Sequence, residues 1–451
     1  MPVTTSDPAL FHGLLAEMLA ALDLPADLAH RVTVIGEDVL PSCYAVTTFA
    51  TATVAAAGLA AAAALDLPGP VTVDQHLVNG WFRWSMKPVG WDLPAVWDAI
   101  AGDYPTRDGW IRLHTNAPHH RAAALAVLQV PAERALVAAA VAAWAGDALE
   151  QAVVAAGGCA AAMRSAADWA AHPQGRAVAG QPLVEFTGHG ARPVWAARGP
   201  RPLSGLRVLD LTRVLAGPVA TRFLAGLGAE VLRLDPPGWE EPAVVPDVTL
   251  GKRCARLDLR SAAGRDRFHG LLAGADVLVH GYRPGALEAL GLGAGWRRAV
   301  NPGLIDVSLS AYGTLGPWAG RRGFDSLVQM SAGIAAAGMR WQGLAQPVPL
   351  PVQALDHGTG YLMAAAVLAA LGRGQGAEAR LSLARTALAL PEAALAGPGF
   401  AGADAADYSP VAEPTPWGPA ARLQSPLAIG GAGLAWDLPA AALGTSPPAW
   451  L

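Results

Sequence analysis

Leu206-Arg-Val-Leu-Asp-Leu-Thr-Arg-Val-Leu-Ala-Gly-Pro-Val-Ala-Thr-Arg-Phe-Leu-Ala-Gly-Leu-Gly-Ala-Glu-Val-Leu-Arg-Leu-Asp235 reads as strand, turn, helix and strand in immediate succession. Leu206 to Leu211 is a largely apolar run of strand length, and Ala229 to Leu234 is a second. Between them, Gly217 to Leu227 opens with a proline near its first turn, where the missing N–H costs nothing, and continues as an apolar helix. Outward from this unit the grammar repeats: Ala262 to Leu272 is a helix, Asp276 to His280 a strand and Leu304 to Leu309 another. Strands separated by helices of about ten residues predict βαβ units, hence an α/β fold with a doubly wound parallel sheet. Such sheets bind ligands beyond the carboxyl ends of their strands, which marks the turn Asp210 to Pro218. That turn lacks the GxGxxG pattern of a dinucleotide site, although Asp235 stands where an acidic ribose ligand would. A tight turn in which Gly217 serves packing alone explains the same residues.

Upstream, Trp91 to Gly190 is alanine-rich and helical in pattern, with one strand candidate at Gly109 to Thr115. Pro193, Gly199, Pro200 and Pro202, set among basic residues, signal a linker. Leu40-Pro-Ser-Cys-Tyr-Ala-Val-Thr-Thr-Phe49 and Leu350-Pro-Val-Gln-Ala-Leu-Asp-His-Gly358 share a plan: each opens on Leu-Pro and runs into an Ala/Leu helix. Each is followed by a further apolar segment, Val71 to Trp84 or Ala379 to Leu390. The pattern suggests a weak internal repeat, which alanine-rich composition alone also explains. From Gly397 onward, Gly, Ala and Pro predict irregular chain wrapping the surface.

Of the 451 residues, 53% are apolar and 15% charged, which excludes a disordered chain. The formal charge of −4 leaves no basic footprint for nucleic acid. Cys43, Cys159 and Cys254 are odd in number and far apart, which argues against a disulfide framework and against zinc. Met1 to Asp7 lacks the basic head and apolar run of a signal peptide, so a cytoplasmic protein without a metal is expected. Val39 to Leu65 carries no charge and is long enough to span a bilayer. Ala and Thr dominate it and Pro41 and Ser42 stand near its start, so a buried helix packed through small side chains is expected instead, with no membrane partner.

Further motifs follow in order. They are Thr212-Arg-Val-Leu-Ala-Gly-Pro218, Leu227 to Pro237, Gly251-Lys-Arg-Cys-Ala-Arg-Leu-Asp-Leu259 and Ala275-Asp-Val-Leu-Val-His-Gly-Tyr-Arg-Pro-Gly285. Leu290-Gly-Leu292, Asn301 to Ser310, Gly316-Pro317, Gly323-Phe-Asp-Ser-Leu-Val-Gln329 and Ala354-Leu-Asp-His-Gly-Thr-Gly360 continue the register. Together they resemble the class III (CaiB–BaiF type) CoA-transferase family from residue 203 to about 390. The resemblance implies a Rossmann-like doubly wound sheet plus a smaller α+β domain. It also implies acyl-CoA and carboxylate substrates, with coenzyme A as the group carried, and a homodimer.

By position in the motifs, the resemblance makes Asp356 the catalytic nucleophile, attacking an acyl-CoA and passing through an aspartyl-CoA thioester. It assigns CoA contacts to Leu215, Ala216, Leu257, Arg260, Gly281, Tyr282 and Arg322. The residues themselves allow plainer readings: a helix N-cap for Asp356, solvated arginines, and a core or adenine-stacking role for Tyr282. Helix-start N–H groups after Asp356 are candidate oxyanion donors, and Gly358 and Gly360 are expected to leave room for a thioester. His357 is either a base or a locally satisfied histidine.

This chain departs from the family pattern in several places. Ala289 replaces an arginine of the RPG-x-x-x-R pattern. Phe324 stands where racemase members carry His, which favours transferase over an acyl-CoA racemase or dehydratase-like enzyme. The order of parts is rearranged. Residues 1–90 resemble a degenerate back part of a large domain, 91–190 the small domain and 191–202 a linker. Residues 203–390 are the CoA-binding unit with Asp356, and 391–451 an irregular extension. Ala45 to Thr48 occupy the catalytic place in the early copy, so one nucleophile per chain is expected. No glycine-run loop of the kind some members close over the intermediate is found. A catalytically silent CoA-binding homologue is therefore the rival expectation.

Overall fold

The computed structural model describes residues 7–451. Six parallel strands lie side by side: Lys252–Arg256, Glu230–Asp235, Arg207–Leu211, Val277–His280, Ile305–Ser310 and Gln375–Ser382. Counted along the chain this is the order 3-2-1-4-5-6 of a doubly wound sheet, as the α/β reading expects. The strand Glu185–Ala191 adds an antiparallel edge beside Gln375–Ser382, so the chain enters this sheet ahead of residue 203.

The strand Lys252–Arg256 escapes a search for apolar runs because it begins on a lysine. That lysine is fully buried, and its ammonium is satisfied by Asp210 Oδ2 at 2.9 Å, Thr221 Oγ1 at 2.6 Å and the Pro218 carbonyl at 3.0 Å. A buried charge persists only when it is paired and hydrogen-bonded in this way. The pairing locks the first strand–helix turn to its neighbour strand.

Two 19-residue helices, Val46–Ala64 and Ala354–Gly372, pack against one another in the centre of the molecule. Both have the length and apolarity of a membrane span, but 94% and 100% of their apolar windows are buried inside the protein. Close packing through alanine and glycine accounts for this: a Cβ on Gly358 would lie 2.4 Å from the Phe49 ring. The first helix feeds the strand Val71–Asp74 and the helix Gln75–Arg83, and the second feeds Gln375–Ser382 and Leu383–Ala389.

A smaller unit holds a three-stranded antiparallel sheet, ordered Gly102–Pro105, Trp110–Leu113 and Ala160–Ala162, with helices Pro118–Leu128, Arg134–Ala142 and Gly146–Ala155. Buried Glu150 ties it to the main body by accepting from Arg164, at 2.6 Å, and from Arg321. The C-terminal stretch is not irregular throughout: Gly418–Arg422 pairs with Met86–Pro88, and Leu427–Ile429 pairs with Val71–Asp74.

Candidate active site

The strand order reverses between Arg207–Leu211 and Val277–His280, which are paired through Asp210 with Val279 and Leu211 with His280. The carboxyl ends of these strands carry Leu215 and Ala216 on one side and Gly281 and Tyr282 on the other. The two predicted pairs thus meet at the switch point, where doubly wound sheets take their ligands. Arg213 joins them: its Nη2 donates to the Tyr282 hydroxyl at 2.9 Å, and its guanidinium lies over the Tyr282 and Trp239 rings at 5.1 and 4.6 Å. One face of Tyr282 is therefore occupied. Val214 holds φ +65°, costly for a β-branched residue, and its N–H donates to Glu241 Oε2 at 3.0 Å. Backbone strain of this kind collects at functional sites.

Leu257 and Arg260 follow the outer strand, away from the switch point; Leu257 is half-buried against the core and Arg260 is exposed. Arg322 is also exposed and reaches towards the Gly157 carbonyl of the smaller unit at 3.5 Å. Both arginines are exposed, and Arg213 is a third cation, outside the predicted set. Asp235 is not a ribose ligand. It is fully buried and accepts from Arg233 at 2.8 and 3.1 Å, which removes the dinucleotide alternative.

Asp356 is the third residue of Ala354–Gly372, so it lies in the first turn and is not the N-cap, which is Gln353. The cap comes from elsewhere. Asp325, on the helix Asp325–Ser331, accepts the Asp356 N–H at Oδ2 (3.0 Å) and also binds the Leu355 N–H. Its Oδ1 accepts from Gln329 Nε2, and Gln329 Oε1 takes the Leu350 N–H at 2.8 Å. Asp325 and Gln329 therefore fix the entry of the Asp356 helix, satisfying N–H groups that the helix leaves bare.

This arrangement corrects two expectations. The helix-start N–H groups are not free as oxyanion donors, since Leu355 and Asp356 serve Asp325 and His357 N–H serves the Gln353 carbonyl. Gly358 and Gly360 do not open space for a thioester; they let the helix approach Phe49 and the Ala216 carbonyl, where a Cβ would come within 2.4 Å of either. Asp356 is 8% exposed. Burial, and then the Asp325 carboxylate, push its pKa well up, so the helix start does not hold it as an anion. Burial raises Asp325 too, to about 6, against the hydrogen bonds that favour its charge. The pair shares its charge unequally, with the hydrogen-bonded Asp325 ionised and Asp356 protonated.

His357 is no base. It is buried, stacks on Phe82 with ring centres 4.8 Å apart, and burial, with Arg222 beside it, lowers its pKa to about 3. Phe324 stands directly before Asp325, with the His114 ring stacked on it at 3.7 Å. Neither of two small surface clefts, around Pro41 to Tyr44 and around Gly313, is lined by Asp356.

The sequence profile of CoA-transferase family III matches residues 203–411. A protein of Mycobacterium tuberculosis named "probable fatty acyl-CoA transferase" is 37% identical over 185 residues, covering 38% of this chain and 46% of that protein. The human succinyl-CoA:glutarate CoA-transferase is 34% identical over 206 residues, covering 41% and 47%. A crystal structure of the mycobacterial protein aligns with a TM-score of 0.39 at 36% identity, over 42% of this chain and 55% of that one. The chain spans less than half the length of these curated relatives.

Proposed function

We propose, from the match of residues 203–411 to CoA-transferase family III, that the protein is an acyl-CoA:carboxylate CoA-transferase using Asp356 as its nucleophile. The observation that carries this reading is the state of that carboxyl group. It is buried, no donor among the described residues hydrogen-bonds it, and a second carboxylate is held beside it. An acid held there without a hydrogen-bond donor, with its pKa raised by burial and by Asp325, is the kind of perturbed group that reactive positions use. Asp356 carboxylate attacks the acyl-CoA carbonyl, forming an aspartyl acyl anhydride and releasing CoA thiolate. Thiolate attacks the aspartyl carbonyl of the anhydride, releasing the first carboxylate and leaving an aspartyl-CoA thioester. The acceptor carboxylate then attacks that thioester, and a second thiolate return gives the new acyl-CoA and free Asp356. Leu215, Ala216, Gly281, Tyr282 and Arg322, with Leu257 and Arg260 at the outer strand, are the residues proposed to hold CoA.

The proton on Asp356 must leave before attack, and the surrounding elements must part to admit the thioester. Those two requirements separate this reading from its rival, a silent CoA-binding homologue, and give the test its sharpness. Protein incubated with a panel of acyl-CoAs and weighed by mass spectrometry gains the mass of a covalent CoA adduct if Asp356 reacts, and Asp356→Ala does not. CoA retained without an adduct for every acyl-CoA supports the silent homologue. Light scattering of the purified chain tests the homodimer.

A further inference from the structure

Histidines of the smaller unit gather against the segment that leads into the Asp356 cap. His114 follows the strand Trp110–Leu113, and His120 lies in the first turn of Pro118–Leu128. The His114 ring stacks on Phe324 with planes 3° apart, and His120 meets the edge of the same ring at 5.9 Å. Phe324 immediately precedes Asp325, which caps the Asp356 helix. His114 and His120 are 6% and 5% exposed, yet neither ring nitrogen of His120, nor Nδ1 of His114, has a partner. Leaving a buried polar group unpaired is unfavourable, a cost that a ligand supplying the missing bonds would lift.

Burial lowers His114 to about 3 and His120 to about 4, so both rings are neutral; His120 leaves one N–H donor and one bare nitrogen open, and His114 leaves Nδ1 open. A hydroxyl, which donates and accepts at a single oxygen, matches that pairing. A second carboxylate does not, because it has no proton to offer the bare nitrogens. Asp325 and Asp356 already oppose one another nearby.

We infer that His114 and His120 form a subsite that hydrogen-bonds a hydroxyl substituent of the acid handled at Asp356, making hydroxy acids the preferred acceptors. This rests on the transferase reading. The test compares 3-hydroxybutyrate, butyrate and succinate as acceptors, alongside ring nitrogen NMR of His114 and His120 in CoA-loaded protein titrated with 3-hydroxybutyrate. A site built to bond a hydroxyl discriminates strongly against the acid lacking it, so kcat/KM should favour 3-hydroxybutyrate over butyrate by about tenfold or more. His120→Phe should bring that ratio to about one, and His120→Asn should keep part of it. A wild-type ratio near one, or succinate outrunning the hydroxy acid, overturns the subsite. Histidine shifts without any Asp356 adduct would keep the subsite and remove the transferase; an adduct without histidine shifts would do the reverse.

Discussion

The helices Val46–Ala64 and Ala354–Gly372 are built to one plan and diverge at one chemical point. Both have 19 residues, and neither is capped by the side chain of its own N-cap residue. Their N-cap residues, Ala45 and Gln353, take nearly the same backbone conformation, φ −76°, ψ 57° and φ −73°, ψ 65°. Each leads to a strand whose last residue caps the next helix, Asp74 through the Leu77 N–H and Ser382 through the Arg385 N–H. At the third helical position the first carries Thr48, a buried hydroxyl without a partner, and the second carries Asp356, a buried carboxyl beside Asp325. The comparison separates scaffold from chemistry. The helix pair is what packing demands, and the acid with its distant cap is what only one copy has.

Exchanging the acid should have the largest effect. Asp356→Asn is expected to lower turnover by about 10³-fold or more, as loss of a covalent nucleophile does, measured as CoA exchange between two acids. Thr48→Val should leave turnover within about twofold. Gly360→Ala comes next. Its Cβ would meet the Ala216 carbonyl, which is backbone and cannot swing away, so about 3 kcal/mol of stability should be lost in urea unfolding. Gly358→Ala should cost less, because the Phe49 ring it strikes is the end of a side chain.

Changing charge in the pair has a smaller effect whose sign is fixed. Asp325→Asn keeps an oxygen to accept the Asp356 N–H but removes the negative neighbour, so the pKa of Asp356 falls and the acidic limb of the activity–pH profile moves to lower pH. Stability carries the same signature. Because the folded-state pKa of Asp356 is raised, its contribution is fully present below the unfolded carboxyl value near 4 and is lost as pH rises towards the folded value. Asp356→Asn should therefore be more stable than wild type at neutral pH and lose that advantage near pH 4, read from melting temperatures. Thr48→Val, which removes an unpaired buried hydroxyl, should stabilise by about 1 kcal/mol or less.

The parallel sheet is legible in the sequence because its strands are short apolar runs set between helices, and the turn after Leu211 declares itself by Gly217 and Pro218. Lys252–Arg256 is not, since its lysine reads as surface until Asp210, 42 residues away, is known to face it. The position of Asp356 near a helix start is legible; its protonation is not, because Asp325 stands 31 residues earlier and reaches it only through folding. The glycines after Asp356 mislead for the same reason. Read locally they suggest room for a ligand, and only the distant Phe49 and Ala216 explain them. Arg213 stands in the Thr212 to Pro218 turn, but its ring partner Trp239 lies across a turn that no local pattern predicts.

The most direct trial of the account is a hydroxylamine quench of protein turning over acyl-CoA, followed by peptide mapping. An activated aspartyl ester reacts with hydroxylamine to give a hydroxamate, which should appear on the peptide carrying Asp356 and on no other. A protein that binds CoA tightly yet yields no hydroxamate at Asp356 would contradict it.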